Sequence, residues 1–174
     1  MFVEDETTLR LFPPLRSQWK AKGQTVTIPV TGRNAKRVLF GAINPCTGRR
    51  VVTISPAARG AHFLAFLHKL RRHYPGRKLV LLIDRAPAHL PKTLERRLEC
   101  MDIAILWLPI QWPELNAMDH LWRHVKGKIA ANHQYLHVDQ LAKKAAAYVT
   151  SLTDDEALRQ AGLQSENQWL KRIL

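Results

Sequence analysis

Cysteine is scarce: Cys46 and Cys100 are the only two in 174 residues, and they form no C-x-x-C pair. A disulfide framework and a thiolate zinc site are thereby excluded as organising features. Reduced, partly buried thiols in a cytosolic protein are the simplest expectation. No apolar run approaches the roughly 20 residues that a membrane-spanning helix needs. The opening Met1-Phe2-Val3-Glu4-Asp5-Glu6 lacks the basic-then-apolar layout of a signal peptide. Internal repeats and low-complexity segments are absent too. Acids are the other shortage: 14 Asp and Glu stand against 27 Lys and Arg, a net charge of +13. That imbalance, spread along the chain, points to a polyanionic partner, most often nucleic acid.

What is present is a globular pattern. Apolar residues make up 46% of the chain, enough for a real core in a single domain. Residues 2–12 read as a first strand, stopped by Pro13-Pro14. Val26 to Val30 reads as a short edge strand because of Pro29. Arg37–Ile43 and Arg50–Ile54 form a hairpin across the turn residues Asn44-Pro45-Cys46-Thr47-Gly48. From Ala61 to His73 the period becomes helical, with Phe63, Leu64, Phe66, Leu67 and Leu70 on one stripe. Leu79–Ile83 is a continuous apolar run, as in a strand covered on both faces. A short charged helix over Lys92–Cys100 and a strand over Ile103–Leu108 follow. Asn116 is a good N-cap for a helix whose stripe is Met118, Leu121, Trp122, Val125 and Ile129. Further helices are expected over Val138–Leu152, after the capping box Thr153-Asp154-Asp155-Glu156, and over Ser165–Leu174. Three strands followed by alternating helices and strands make an α/β fold, a mixed sheet with helices on both faces.

Two carboxylates stand out in this layout. Asp84 ends a buried-looking strand and is followed by a turn, the place where α/β sheets build sites. It could equally cap that turn. Asp119 falls at the third position of its helix, where capping alone would explain it. In the first strand, Asp5 and Glu6 alternate onto opposite faces, so one can face a site while the other meets solvent or a basic neighbour. Phosphodiester chemistry gains from two divalent metals held by such acids, and Mg²⁺ takes one or two carboxylates together with waters and substrate phosphate.

The motifs around these acids resemble those of mariner-like transposases. Asp84-Arg85-Ala86-Pro87-Ala88-His89 is similar to their Asp-Asn-Ala-Pro-x-His segment. Pro113-Glu114-Leu115-Asn116-Ala117-Met118-Asp119-His120-Leu121-Trp122 is similar to Ser-Pro-Glu-Leu-Asn-Pro-Ile-Glu-x-x-Trp. Val3-Glu4-Asp5-Glu6-Thr7 resembles the opening strand, and Trp19 with Gly23 resembles the Trp-x-x-x-Gly that follows it. The resemblance covers about residues 1 to 130 and is nearest the bacterial insertion-sequence branch. It implies an RNase H-like, mixed five-stranded sheet flanked by helices over 1–130, with C-terminal helices 131–174 packed on the same domain. It implies a catalytic and metal-binding triad of Asp5, Asp84 and Asp119, a two-metal Mg²⁺ or Mn²⁺ site, cleavage at transposon ends, and 3′-hydroxyl attack on target DNA. DNA, as transposon ends and target, is the implied partner; a homodimer is compatible, and the implied location is the bacterial cytoplasm, on the nucleoid when DNA-bound.

Departures from the pattern are Arg85 for Asn, Gln111-Trp112 for Tyr-Ser, Ala117 for Pro, and Asp119 where the bacterial branch commonly has Glu. The family's N-terminal helix-turn-helix is absent, so a fragment or truncated gene product is expected. A DNA-binding remnant with weak or no catalysis is the alternative, and a nuclease acting on RNA–DNA hybrids a third reading. Arg85, Arg123, Lys126 and Lys128 are candidate phosphate contacts. His89 either orients the site or bonds its own turn. Glu6 and Glu114 are expected in salt bridges or caps. His120 and His124 lack the glutamate of a zinc helix and are expected to be exposed or to face DNA. Trp107, Trp112 and Trp122 are expected in the core or a pocket wall.

Overall fold

A computed structural model describes residues 1–25, 27–89, 94–109, 112, 115–165 and 170, the side chains of Ala88 and Glu95 excepted. Five strands form one sheet: β1 (Phe2–Arg10), β2 (Lys36–Ile43), β3 (Arg50–Ser55), β4 (Leu79–Ile83) and β5 (Ile103–Trp107). Their order is β3-β2-β1-β4-β5. β1, β2 and β3 are joined antiparallel, while β4 runs parallel to β1 and β5 parallel to β4. The hairpin between β2 and β3 is closed by Asn44, whose Oδ1 accepts from the backbone N–H of Cys46, an Asx turn.

Alternation along β1 divides the chain's apolar residues between two layers. On one face, Val3 and Leu9 join Leu39, Ile43 and Leu82 beneath α3 (Ala117–Val125), α4 (Val138–Ser151) and α5 (Asp154–Gln160). On the other, Phe2 joins Phe40, Leu81 and Ile83 beneath α1 (Gly60–His73) and α2 (Leu94–Met101). The stripe Phe63, Phe66, Leu67 and Leu70 is the buried side of α1, as its 3.6-residue period dictates. α3 passes into one π-type turn at Lys126–Ala130. α5 starts at a capping box in which Thr153 and Glu156 satisfy each other's backbone N–H.

Several expectations change here. Thr27–Val30 forms no strand, and most of the segment is exposed; β propensity without a neighbouring ladder does not make a strand. Val26 lies outside the described residues, as do Lys92 and most of the helix expected over 165–174. Cys46 and Cys100 are exposed rather than partly buried. Trp112 is half exposed and Trp19 fully so, whereas Trp122 is in the core. Among the described residues no helix is long and apolar enough to cross a membrane.

Candidate active site

β1 is the middle strand, and its parallel register with β4 pairs Val3 with Leu82. Continued by two residues, that register sets Asp84 beside Asp5. Each lies two residues beyond a core residue of the layer covered by α3, Asp5 after Val3 and Asp84 after Leu82. The third acid arrives on that helix. Asn116 caps it by accepting from Met118 N–H at 3.0 Å, while its Nδ2 donates to the Glu4 carbonyl at 2.9 Å. One buried side chain therefore both starts α3 and ties it to β1, one residue from Asp5. Gly41, the β2 partner of Asp5, lets the helix sit directly on the sheet: a Cβ there would lie 2.5 Å from Trp122 and 2.8 Å from Met118. The Trp122 indole N–H points to the Asp5 carbonyl at 3.4 Å.

Asp5 feels both of the other aspartates. Burial first, then Glu6, Asp119 and Asp84, push the Asp5 carboxyl up from 3.8 to about 8. Asp84 goes the other way. The hydrogen bond from His89 lowers it, against partial burial, and Ala86 N–H helps at 2.9 Å. Asp119 meets Arg123, whose Nε and Nη2 donate to Oδ2 at 2.9 and 2.5 Å. Asp5, a buried carboxyl that neighbouring acids hold protonated, is an oxygen donor whose ionisation a hard divalent cation would favour, so it fits Mg²⁺ or Mn²⁺.

Behind this set, on the opposite face of β1, lies a second cluster. His89 closes the single 3₁₀ turn Pro87–His89 and packs its ring 4.6 Å from Phe63. Its Nδ1 reaches Asp84 Oδ1 at 2.8 Å. Its Nε2 lies 3.0 Å from Glu6 Oε2 and 3.2 Å from Glu4 Oε2. The Glu4 and His89 side chains are fully buried. The distances are those of ion pairs, yet neither carboxylate is angled for a hydrogen bond, and both Glu4 oxygens lack a bonding partner. Burial holds the Glu4 carboxyl well above its usual range despite His89. Burial opposes charge on His89, but Asp84, Glu6 and Glu4 outweigh it and push the imidazole up to about 11.

The family model of the DDE superfamily endonucleases matches residues 1–142. This chain belongs to that family. It is similar to the uncharacterized 39 kDa protein of insertion element IS630 from Shigella sonnei, 26% identical over 155 residues that make 88% of this chain and 45% of the relative. The DDE domain described here thus spans about half the length of its curated relative. It shares its fold with the mariner Mos1 transposase: with the Mg-bound paired-end complex at TM-score 0.73 and 20% identity, over 99% of this chain and 54% of that one. The Mos1 strand transfer complex gives 0.69 and 19%, over 92% and 50%. The Mos1 catalytic domain gives 0.60 and 15%, over 92% and 74%. The family is that of the DDE superfamily endonucleases, and the mixed sheet has the RNase H-like fold of the Mos1 catalytic domain.

In this DDE domain, the residues singled out from sequence fall as follows. Asp5, Asp84 and Asp119 sit on β1, at the end of β4 and at the start of α3. Arg85 follows Asp84 with its guanidinium 5.1 Å from the Trp107 ring centre. Arg123 is bound to Asp119, and Lys126 and Lys128 lie in the turn after α3. His124 bonds the Tyr148 hydroxyl at 2.7 Å. Glu114 lies outside the described residues. The sequence reading missed Glu4 and the tethering half of Asn116. Glu4 was detectable: two residues from Glu6 in a strand, it must share that residue's face, along with the apolar Phe2.

Proposed function

We propose that this domain cuts DNA strands at transposon ends and transfers the freed 3′-hydroxyl into target DNA, with Asp5, Asp84 and Asp119 as catalytic metal ligands. The observation that carries the reading is Asp5, a carboxyl whose proton is held by burial and by neighbouring acids that include both other members. Asp5, Asp84 and Asp119 would hold two Mg²⁺ or Mn²⁺ ions, which when bound would supply activation of the attacking oxygen and charge stabilisation of the leaving one. The chain's own residues place the phosphodiester: Arg85, Arg123, Lys126 and Lys128 bind flanking phosphates. Arg123 leaves Asp119 for phosphate when DNA arrives. We assign residues 1–130 to the DDE unit and 131–174 to helices that buttress it. DNA is the partner, two copies of the chain pair the two ends, and the bacterial cytoplasm is the location.

The expected result is Mn²⁺-dependent nicking of supercoiled plasmid, abolished in Asp84→Ala. Nicking by a clean Asp84→Ala preparation at the wild-type rate would overturn the assignment. One observation favours the other reading, a DNA-binding remnant: Arg123 already occupies Asp119 Oδ2, as in a site that no longer takes metal. That reading requires salt-sensitive DNA binding that is indifferent to Mn²⁺ and EDTA.

A further inference from the structure

We propose that His89, braced from behind by Glu4 and Glu6, is a positioning residue that locks Asp84 so that its Oδ2 is reserved for metal. The inference rests on the triad assignment above and adds residues outside it. The contacts that the described residues make to the Asp84 carboxylate all fall on Oδ1: Ala86 N–H at 2.9 Å and His89 Nδ1 at 2.8 Å. Two donors on one oxygen fix the rotation of the carboxylate, and they leave the other oxygen as its outward ligand. Nδ1 also faces the Asp84 carbonyl at 3.1 Å. Both neighbours of that nitrogen are acceptors, so it must carry the proton.

The ring has little freedom to turn away. His89 N–H closes the turn to the Ala86 carbonyl at 2.9 Å. Phe63 packs against one side of the imidazole. The far nitrogen faces two carboxyl groups, at 3.0 and 3.2 Å, on side chains that the strand places on one face. Burying Glu4 completely without a hydrogen bond is a cost. The cluster accepts that cost where it fixes the orientation of His89. Solvent-side acids would not do so, because water would compete for Nε2.

The test is Mn²⁺ binding to the whole chain by titration calorimetry, which reads the site without turnover. His89→Leu and His89→Gln remove a donor at the Nδ1 position; His89→Asn keeps an amide N–H near it. The expected result is a 10- to 100-fold weaker Mn²⁺ dissociation constant for Leu and Gln, the range for supporting contacts of metal ligands, with most of it recovered in Asn. Folded Leu and Gln variants that bind Mn²⁺ like the wild type would reduce His89 to a packing residue and overturn the proposal. If those variants do not fold, the wild-type protein answers. The His89 Nδ1–H proton resonance must move on Mg²⁺ titration, and an unmoved resonance overturns the proposal. Failure of the triad assignment looks different: Asp84→Asn would then leave Mn²⁺ binding unchanged, and both readings would fall together.

Discussion

Asp5 bears an electrostatic cost in the site, and that cost sets a pH dependence. Its folded value of about 8 lies above its ordinary 3.8, so the folded state holds the proton that the unfolded chain releases. The associated stability is fully present below pH 3.8 and is lost as pH rises through 8. In EDTA, the wild-type melting temperature is expected to fall across that window, and Asp5→Asn to flatten the fall and melt higher at pH 8.5. Scanning calorimetry at several pH values reads both; parallel profiles would contradict the placement of Asp5. Asn116 makes a second residue-scale case. Asn116→Asp keeps the cap on Met118 N–H but loses the Nδ2 donor and sets a carboxylate against the Glu4 carbonyl. It is expected to destabilise by about 1–3 kcal/mol in denaturant titration, the penalty of a buried unsatisfied group. The cap was legible from residue type. The tether was not, because Glu4 is 112 positions away and no local rule couples them.

At the scale of elements, α3 is the part that must be close. Its stripe was readable from spacing, and so was its N-terminus. The absence of a Cβ at Gly41 was not readable as a packing device, since a glycine in a strand has several explanations. Gly41→Ala is expected to drive the added methyl into Trp122 and Met118, cost about 1–3 kcal/mol as overpacking does, and lift Asp119 away from Asp5. Weaker Mn²⁺ binding with a lower unfolding midpoint would report both effects; an unchanged midpoint would contradict the close approach. Thr27–Val30 shows the converse limit. Its residues favour strand, but pairing decides, and β1 already has β2 and β4 at its two edges.

At the scale of the molecule, charge and topology divide the work. In the proposed function, the net charge of +13 serves binding and three of the 14 acids serve the chemistry. DNA affinity is expected to fall linearly in log–log form with salt. Lys126→Ala and Lys128→Ala should each reduce the slope by about 1, and Arg97→Ala, on the helix layer across the sheet, should not. Fluorescence anisotropy across a salt series decides it. The order of elements and the mixed sheet could be read from periodicity, because apolar runs and turns alternate cleanly; the central place of the first strand could not. That Asp5 feels both Asp84 and Asp119 could not be read from spacing. It needed the motif, since parallel β1–β4 pairing and the α3 crossing are long-range facts.

The central claim is that these three aspartates form one metal site. Mn²⁺ titration calorimetry on the wild type and on Asp5→Asn, Asp84→Asn and Asp119→Asn tests it most directly. The expected result is saturable binding by the wild type and at least a tenfold loss in each single variant. Wild-type affinity retained in all three would contradict it.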